Sequence, residues 1–398
     1  MSTVDYDPLS TEAMTDPHRL YALLRAHDPV HHLARYDTWA LASFGAVWQA
    51  CSDTDSFSVR RGQIPYQILL GEPATNLTFP ELDPPEHRLR RRVLAPGYTR
   101  EAAERDVATI RDIARTTLDA VLDEHGTCFD AHRDYANVVA GRVAARKAGV
   151  PLEDADRLRR QLAGMFHREP GQRGTSEANG AAAMEAFGYL HALVAEARSD
   201  PARASGMLAT LLDATVDGVP LADDQIAAEL HTLMVTGSDT SELGVAAALY
   251  HLQGEPAQRD EVIGDPTQSV WAFAEALRFD HPTDVLCRSV RRDVTVEGRR
   301  LREGQGVLLL WGSANRDEAE FPDAGRFDMH RRPARSLVFG HGQHQCIGEH
   351  IGMRMGAVML EVLFSSISGY DVDIAGTGRR CGEFLKGFNR LPVEVTLR

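Results

Sequence analysis

The sequence is poor in cysteine and carries no excess of positive charge. Its five cysteines, at positions 51, 128, 287, 346 and 381, are widely spaced and include no CxxC pair, which argues against a disulfide framework and a structural zinc site. The formal net charge of −14 argues against binding to nucleic acid. No apolar run approaches the roughly 20 residues of a membrane helix, and the polar start MSTVDYDPLS does not resemble a signal peptide. We therefore expect a cytoplasmic protein without a nucleic acid or membrane partner.

Helical periodicity dominates the chain of 398 residues, which is 43% hydrophobic and 25% charged. Apolar residues recur at three- and four-residue spacing in 17–28, 100–126, 177–200 and 223–252, and a last helix follows Gly348. Short strands are predicted in small clusters: PVHHL with TWALAS, DVTVEG with GVLLLW, and YDVDI with VEVTL. Because the strands do not alternate with helices, the predicted class is mostly α with small β-sheets (α+β).

No linker of Pro, Gly and Ser divides the chain, so a single domain spanning residues 1–398 is expected. Two irregular segments, at about 57–86 and 166–181, mix Gly, Pro and polar residues with apolar ones. They are either ordinary surface loops or the walls of a pocket.

The stretch FGHGQHQCIG at 339–348 combines a cysteine with three glycines. Glycines allow tight turns, and Cys346 precedes a helix N-terminus, where the helix dipole favours a thiolate. Such a thiolate is either a nucleophile or a ligand for a soft or borderline metal. His344 is a weak candidate for the base that a nucleophile needs, because two residues of separation in a loop are poor evidence for a catalytic pair. Haem iron, which accepts a cysteine as its proximal ligand, is the better candidate.

Phe339, Gly342, Cys346 and Gly348 reproduce the FxxGxxxCxG signature, and the chain thereby resembles the cytochrome P450 family. The resemblance extends from DPHRLYALLRAHDPVHH to FLKGFNRLPVEV in the family's order. It implies a single triangular, helix-rich domain around a buried haem b. It also implies that Cys346 is the axial ligand of the iron, with Phe339, Gly340 and Gly348 beside it.

The stretch VTGSDTSE, at 235–242, resembles the family's oxygen-activation groove. The resemblance implies that Gly237 makes room for dioxygen and that Asp239 and Thr240 are an acid–alcohol pair that delivers protons. Thr236 departs from the pattern, because it adds a hydroxyl where the family usually has Ala or Gly.

Glu275 and Arg278 form an ExxR spacing that places both side chains on one helical face. In the family this pair joins a third residue in a segment before the cysteine loop. The stretch 314–331 resembles that segment, and Arg326 is the predicted third member of a structural triad.

Four basic residues are expected to bind the haem propionates, because buried charges need partners. The family's HxxxR pattern implies that His87 and Arg91 bind one propionate. Arg288 matches the strand arginine that binds the other, and His344 matches the basic position two residues before the cysteine.

The resemblance implies an O2-dependent monooxygenase, with hydroxylation as its typical reaction. Electrons from NAD(P)H are expected through a separate ferredoxin and its reductase, because the haem domain accounts for the whole chain, and a monomer is expected. An acidic ferredoxin would dock near Arg91, Arg92 and Arg335. The expected substrate is a mid-sized, mostly apolar molecule of bacterial secondary metabolism. Candidate pocket residues, for which core packing is an equal alternative, are Met234, Val235, Val285, Leu286 and Phe388.

Four other functions are compatible with parts of the sequence. A peroxygenase would have less need of Asp239 and Thr240, whereas radical chemistry such as oxidative coupling or nitration stays open because of Thr236. A non-catalytic haem sensor would not need the acid and alcohol. A cysteine hydrolase would need a base and an orienting acid around Cys346 and would not need haem.

Overall fold

The computed structural model describes residues 4–72, 78–166 and 168–398, so positions 73–77 and 167 of the two irregular segments lie outside it. Helices dominate the described chain. The α-helices are α1 (Thr11–Thr15), α2 (His18–His27), α3 (Phe44–Ser52), α4 (Pro65–Leu69), α5 (Glu86–Leu94), α6 (Arg100–His125), α7 (Asn137–Ala148), α8 (Leu152–Met165), α9 (Glu177–Ser199), α10 (Gly206–Leu212), α11 (Asp223–Gln253), α12 (Pro256–Gly264), α13 (Ser269–Phe279), α14 (Trp311–Ala314) and α15 (Glu349–Ser366). A π-helical turn (Ala131–Ala136) leads directly into α7.

The strands are short and belong to five small sheets within the described residues. They are β1 (Val30–Leu33), β2 (Thr38–Leu41), β3 (Phe57–Ser58), β4 (Cys128–Asp130), β5 (Thr215–Val216), β6 (Val219–Pro220), β7 (Val285–Val290), β8 (Val294–Val296), β9 (Arg299–Leu301), β10 (Gly306–Leu310), β11 (Ile367–Val372), β12 (Gly378–Arg379), β13 (Phe388–Arg390) and β14 (Pro392–Leu397). This architecture confirms the predicted class, mostly α with small β-sheets.

The five predicted helices are present, as α2, α6, α9, α11 and α15, and each of their ends lies within one residue of the prediction. Local capping explains where two of them begin. Thr99 accepts a hydrogen bond from the Ala102 amide at 3.1 Å before α6, and Ser176 accepts one from the Asn179 amide at 3.2 Å before α9. Such caps satisfy amides that have no partner within the helix.

Helix α11 is the centre of the molecule. It contacts α7, α9, α13 and α15, and most of its residues are buried. Acidic side chains in its first turn, Asp223 and Asp224, suit the positive end of the helix dipole. Because the helix is packed on several sides, the VTGSDTSE stretch near its middle lies deep in the protein.

The largest sheet has the strand order β1-β2-β10-β7-β3. Strands β2 and β10 run parallel, and the other pairs are antiparallel. The predicted pairing of DVTVEG with GVLLLW is wrong, because β8 forms a hairpin with β9 and β10 joins the large sheet. The other two predicted pairs, β1 with β2 and β11 with β14, are confirmed. The large sheet places β7, which carries Arg288, next to the strand that leads into α14.

Candidate functional site: a cavity at the cysteine loop

The loop that carries Cys346 folds as a tight turn before α15. The Cys346 amide donates a hydrogen bond to the Phe339 carbonyl at 2.8 Å. Gly340 and Gly342 have φ angles of +74° and +73°, a region that side chains with a Cβ disfavour. A Cβ on Gly342 would also lie only 2.6 Å from the Cys51 carbonyl oxygen. The chain therefore requires glycine here to hold the cysteine in place.

The thiol of Cys346 is exposed, but the surface that it exposes faces an internal cavity rather than the outside of the protein. Burial raises the pKa of the Cys346 thiol, and the Gly348 amide and Arg91 offset this effect only in part. The Gly348 amide lowers the pKa of the thiol, in the direction that the sequence predicts for a helix N-terminus, but burial outweighs it. A thiol in this environment becomes a thiolate when a cation replaces its proton, which fits a metal ligand better than a free nucleophile.

The cavity has a volume of about 560 Å³, within the range of small-molecule and cofactor sites. Its walls come from the cysteine loop, the start of α15, the middle of α11, α5 and β7, and several loops. Residues of the central part include Arg91, Tyr98, Thr236, Gly237, Asp239, Thr240, Leu286, Arg288, Trp311, Phe339, Gly340, His344, Cys346 and Gly348.

Four basic side chains meet at this cavity. Arg91, Arg288 and His344 line it, and the His87 ring packs on His344 with ring centroids 4.2 Å apart. The Arg288 guanidinium donates to the Cys287 carbonyl at 2.7 Å. In the described part of the chain, none of the four forms an ion pair with a carboxylate, and neither ring nitrogen of the buried His87 has a hydrogen-bond partner. The cluster is therefore short of negative charge.

The charges of this cluster affect its histidines strongly. Burial and the neighbouring cations lower the pKa of His344 to about 2, and burial and Arg91 lower the pKa of His87 to about 4. An anion in the cavity would relieve this repulsion and accept the unused donors. Haem b carries two propionates, so the basic cluster fits the group that the sequence resemblance implies.

Trp311 is a cavity residue that the sequence reasoning missed. Its ring would lie 2.7 Å from a Cβ on Gly340 and packs against His281 with centroids 6.3 Å apart. Its indole nitrogen is buried and has no partner among the described residues. The only signal in the sequence is the tryptophan at the end of GVLLLW. A single tryptophan after an apolar run does not distinguish a core residue from a residue of a binding site.

Two threonines of α11 face the cavity. The Thr236 hydroxyl donates to the Thr232 carbonyl at 2.8 Å, and the Thr240 hydroxyl donates to the Thr236 carbonyl at 3.3 Å. Gly237 also lines the cavity, and a Cβ there would lie 3.5 Å from the Ala144 side chain of α7. Since both hydroxyls donate to the helix backbone, they present their lone pairs towards the cavity.

Asp239 does not bond to Thr240, although the sequence predicts the two as a pair. One carboxylate oxygen lies 3.3 Å from an Arg380 guanidinium nitrogen, and the other accepts from the Ser238 hydroxyl at 3.2 Å. Burial raises the pKa of Asp239 to about 6; Arg380 opposes the rise, and the nearby Glu242 adds to it. Arg380 follows β12, far along the chain, and the sequence offered no signal for this contact.

Glu275 and Arg278 form a buried ion pair on α13, with Oε1 and Nη2 2.6 Å apart. The prediction that the Arg326 side chain joins them is wrong. That side chain is 68% exposed and lies 3.9 Å from Glu255, and only its carbonyl accepts a bond from Arg278, at 3.1 Å. The third side chain is Arg331, whose Nε lies 3.4 Å from Glu275. The spacing showed that a basic residue of 314–331 takes part but did not show which one.

Of the predicted pocket residues, Val235 and Leu286 line the cavity. The predictions for Met234, Val285 and Phe388 are wrong, because these buried core residues are not among those that line the cavity. The cavity wall also includes apolar residues that the sequence did not predict: Leu233, Met165, Phe187, Phe384 and Leu385.

The two irregular segments contribute unequally to the cavity wall. From the first segment Gln63, Ile64, Tyr66, Gln67, Thr78, Phe79, Pro80 and Glu81 line the cavity, and from the second Phe166 does so. Positions 73–77 and 167 lie outside the described residues. None of the described helices has the length and apolar character needed to cross a membrane.

Comparison with known proteins agrees with this geometry. The cytochrome P450 family model matches residues 270–369, which include the Glu275–Arg278 pair and Cys346. The putative cytochrome P450 123 of Mycobacterium tuberculosis is 29% identical over 394 residues, covering 98% of this chain and 97% of the relative. The vitamin D(3) 25-hydroxylase of Pseudonocardia autotrophica is 29% identical over 400 residues, covering 99% of this chain and 97% of the relative.

The crystal structure of CYP108D1 from Novosphingobium aromaticivorans has the same fold, with a TM-score of 0.87 and 25% identity over 98% of each chain. The family model, the relatives of full length and the shared fold thus agree with the cysteine loop and its basic cavity. This chain has the cytochrome P450 fold and is similar to cytochromes P450 over its whole length, and the comparisons support an O2-dependent monooxygenase with haem b as its cofactor.

Proposed function

We propose that Cys346 is the axial ligand of the haem iron. The observation that carries this proposal is that the Cys346 thiol and a cluster of unpaired basic side chains border the same cavity. A haem needs both features, a ligand for its iron and cations for its propionates. Iron would displace the proton that burial otherwise keeps on the thiol.

We further propose that Arg91, Arg288, His87 and His344 hold the propionates. Guanidinium groups suit carboxylates, because their donors lie in a planar fork. The unpartnered indole nitrogen of Trp311 is a further donor at the cavity. When bound, haem supplies the chemistry that reduces O2 and transfers one oxygen atom to the substrate.

Asp239 and Thr240 are proposed to supply protons to the oxygen site. Thr240 exposes its hydroxyl lone pairs to the cavity, since its proton is donated to the helix backbone. Asp239 has a pKa of about 6, close to the value that suits a proton donor near neutral pH. Arg380 orients the carboxylate, so proton transfer to the cavity requires the acid to turn from Arg380 towards Thr240. Thr236 adds a second hydroxyl to the same wall.

The proposed substrate is a mid-sized, mostly apolar molecule of bacterial secondary metabolism, and the proposed reaction is its hydroxylation. The cavity wall supports an apolar substrate, because Val235, Leu286, Phe166, Phe384 and Leu385 are among its residues. The similarity to a vitamin D(3) 25-hydroxylase agrees with such a substrate.

Electrons are proposed to come from NAD(P)H through a ferredoxin reductase and a small acidic ferredoxin. Arg92 is exposed on α5 and suits such a partner. Arg91 is partly exposed and also lines the cavity. Arg335 is half-exposed and paired with Glu320 at 3.0 Å, which weakens its attraction for a second anion.

The substitution Cys346→Ser tests the proposed ligand. Since a serine hydroxyl does not replace a thiolate, the variant should lose the ferrous–CO absorption band typical of thiolate ligation. Cys128→Ser is the matched control, because Cys128 is also exposed but lies on β4, outside the cavity. It should keep the band. A Cys346→Ser protein that kept the band would contradict the proposal.

A further inference from the structure

The cavity wall formed by α11 extends well beyond the proposed oxygen site. At one end of this wall, a Cβ on Gly352 of α15 would lie 3.8 Å from the Ser241 hydroxyl oxygen, and both residues line the cavity. This end is therefore next to the cysteine loop. At the other end, the Nε2 atom of His231 lies 3.2 Å from the sulfur of Met165, the last residue of α8. His231 thus borders the part of the cavity that is remote from the cysteine loop.

Two polar side chains at this remote end have unused hydrogen-bonding capacity. The Nδ1 atom of His231 has no partner in the described chain, and its Nε2 atom meets only a thioether sulfur, which is a weak acceptor. The side-chain hydroxyl of Thr232 forms no hydrogen bond with the described residues either, although its carbonyl accepts one from Thr236. Both side chains line the cavity. Polar groups placed in this way in a mostly apolar cavity can fix the orientation of a ligand.

Two polar side chains that the first irregular segment presents to the cavity differ from these, because they satisfy each other. The Gln67 amide nitrogen donates to one carboxylate oxygen of Glu81 at 3.2 Å, and the other oxygen accepts from the Thr78 amide at 3.2 Å. They have less capacity left for a ligand. His231 and Thr232 are therefore the better candidates for recognition of a polar group.

The charge of His231 decides which kind of polar group fits. Burial lowers the pKa of His231 to about 4, and no charge of the described residues contributes to the shift, so the ring is neutral near pH 7. A neutral imidazole has one donor and one acceptor nitrogen, and a threonine hydroxyl can also donate and accept. A carboxylate bound here would be buried without a cation, which is costly. A hydroxyl or ketone oxygen needs no opposite charge and therefore fits better.

We propose that His231 and Thr232 bind a neutral hydroxyl or ketone oxygen of an otherwise apolar substrate and thereby determine which carbon is oxidised. The proposal rests on the proposed oxygen site at Thr240. Thr240 lies nine residues after His231 on α11, roughly 13 Å along the helix axis. The oxidised carbon should therefore lie on the order of 10 Å from the bound oxygen. In this arrangement His231 determines specificity and leaves the chemistry of oxygen transfer unchanged.

Two matched probes test the binding. The alcohol probe, 6-phenylhexan-1-ol, has one hydroxyl at the end of an apolar body, and the hydrocarbon probe, hexylbenzene, lacks it. Equilibrium dialysis of the holoenzyme measures each Kd without turnover. The wild type should bind the alcohol at least as tightly as the hydrocarbon, because His231 and Thr232 replace the water that the hydroxyl loses. A cavity without such partners would favour the hydrocarbon.

Two substitutions remove the proposed partners. His231→Leu and Thr232→Val should each weaken binding of the alcohol probe about 3- to 10-fold, since a neutral hydrogen bond is lost. Neither should weaken binding of the hydrocarbon. His231→Gln keeps a donor and an acceptor and should retain most of the affinity for the alcohol. The matched control is His191→Leu, the same change on α9 at a half-exposed histidine that lies 3.1 Å from Asp224. It should bind both probes as the wild type does.

A third probe tests the charge of the ligand. The anion 6-phenylhexanoate should bind the wild type more weakly than the alcohol probe at pH 7, because His231 is neutral there. Equal or tighter binding of the anion would show that the site does not select a neutral oxygen.

Product analysis tests the distance between the bound oxygen and the oxidised carbon. With NADPH, an added ferredoxin and its reductase, the wild type should oxidise the alcohol probe at its phenyl end, which is far from the hydroxyl. His231→Leu should spread oxidation along the chain. Oxidation by the wild type mainly at the carbon that bears the hydroxyl would refute the proposed position of the substrate.

Preference of the wild type for the hydrocarbon, or failure to bind either probe, would overturn the proposal even if both variants failed to fold. The ferrous–CO band separates this failure from failure of the proposed function. If the wild type has the thiolate-type band and does not favour the alcohol, only the role of His231 and Thr232 is refuted. If the wild type lacks that band, the haem-thiolate assignment fails, and dialysis still decides whether the two residues bind the hydroxyl.

Discussion

Replacing Arg288 with methionine should have opposite effects on the apoprotein and on haem binding. Arg288 is 5% exposed on β7 and donates one hydrogen bond, to the Cys287 carbonyl. Burial lowers the pKa of its guanidinium, and no carboxylate pairs with it in the described part of the chain. Methionine keeps the apolar stem of the side chain and removes the charge.

The size of each effect depends on whether the Arg288 guanidinium is unpaired, as in the apoprotein, or hydrogen-bonded to a propionate. A buried polar group without its partners costs about 1–3 kcal/mol, so the apoprotein should gain stability of that order. With haem bound, the same group makes a charge-assisted hydrogen bond worth about 1.5–3 kcal/mol. Its loss should weaken haem affinity by roughly 10- to 100-fold, since about 1.4 kcal/mol corresponds to a factor of ten.

Urea denaturation without haemin measures the stability of the apoprotein. With haemin added, the further gain in stability reports haem affinity, because a ligand stabilises the folded chain by an amount set by its concentration and Kd. A haemin titration followed by absorbance gives the affinity directly. Arg292→Met is the matched control: Arg292 lies near Arg288 in the chain, but its side chain is 61% exposed and faces Asp55 at 3.8 Å. It should change neither quantity. An Arg288→Met apoprotein that lost stability while haem affinity stayed the same would refute the reasoning.

The remaining predictions concern one buried ion pair and the histidines of the basic cluster. Glu275→Gln should destabilise the protein by about 3–5 kcal/mol, because it leaves the buried Arg278 without its charge partner. Thermal denaturation measures this loss. The control is Glu104→Gln, at an exposed ion pair, which should scarcely change Tm. The apoprotein should lose stability as the pH falls below about 6.5. The pKa of His87 is about 4 in the folded protein and about 6.5 in the unfolded chain. The unfolded chain therefore binds a proton first as the pH falls, which favours unfolding. The loss from His87 should approach about 3 kcal/mol near pH 4. Urea denaturation over a pH series measures it; haem should weaken the dependence, and a flat profile for the apoprotein would contradict it.

The prediction of helices from the sequence succeeded because helix periodicity is local. Apolar residues at three- and four-residue spacing located α6 and α11 to within one residue, since the pattern itself creates the face that packs. Strand pairing was less secure. The run DVTVEG has a nearer partner in β9 than in β10, and a short strand does not specify which neighbour completes it.

The site was predictable where its residues are close in the chain. The cysteine loop could be recognised because the glycines that shape it and Cys346 lie within ten residues. The sequence could not distinguish Arg331 from Arg326 as the partner of Glu275, because both belong to one irregular segment. The exposure of their side chains, 11% and 68%, separates them. The sequence also could not show that Phe388 faces the core, because Phe388 lies on a short strand in which no periodic pattern indicates the orientation of the side chain.

The sequence by itself determined the helical class of this protein and the cysteine loop, because both are encoded by residues that are neighbours in the chain. Tertiary structure alone decided what surrounds Asp239. Arg380 is 141 residues away in the chain, and the Asn137 that bonds Glu242 is 105 residues away. Helical spacing shows which face of α11 these acids share, but packing against other segments decides which charges meet that face. Those charges set the pKa of the acid and therefore its capacity to deliver a proton.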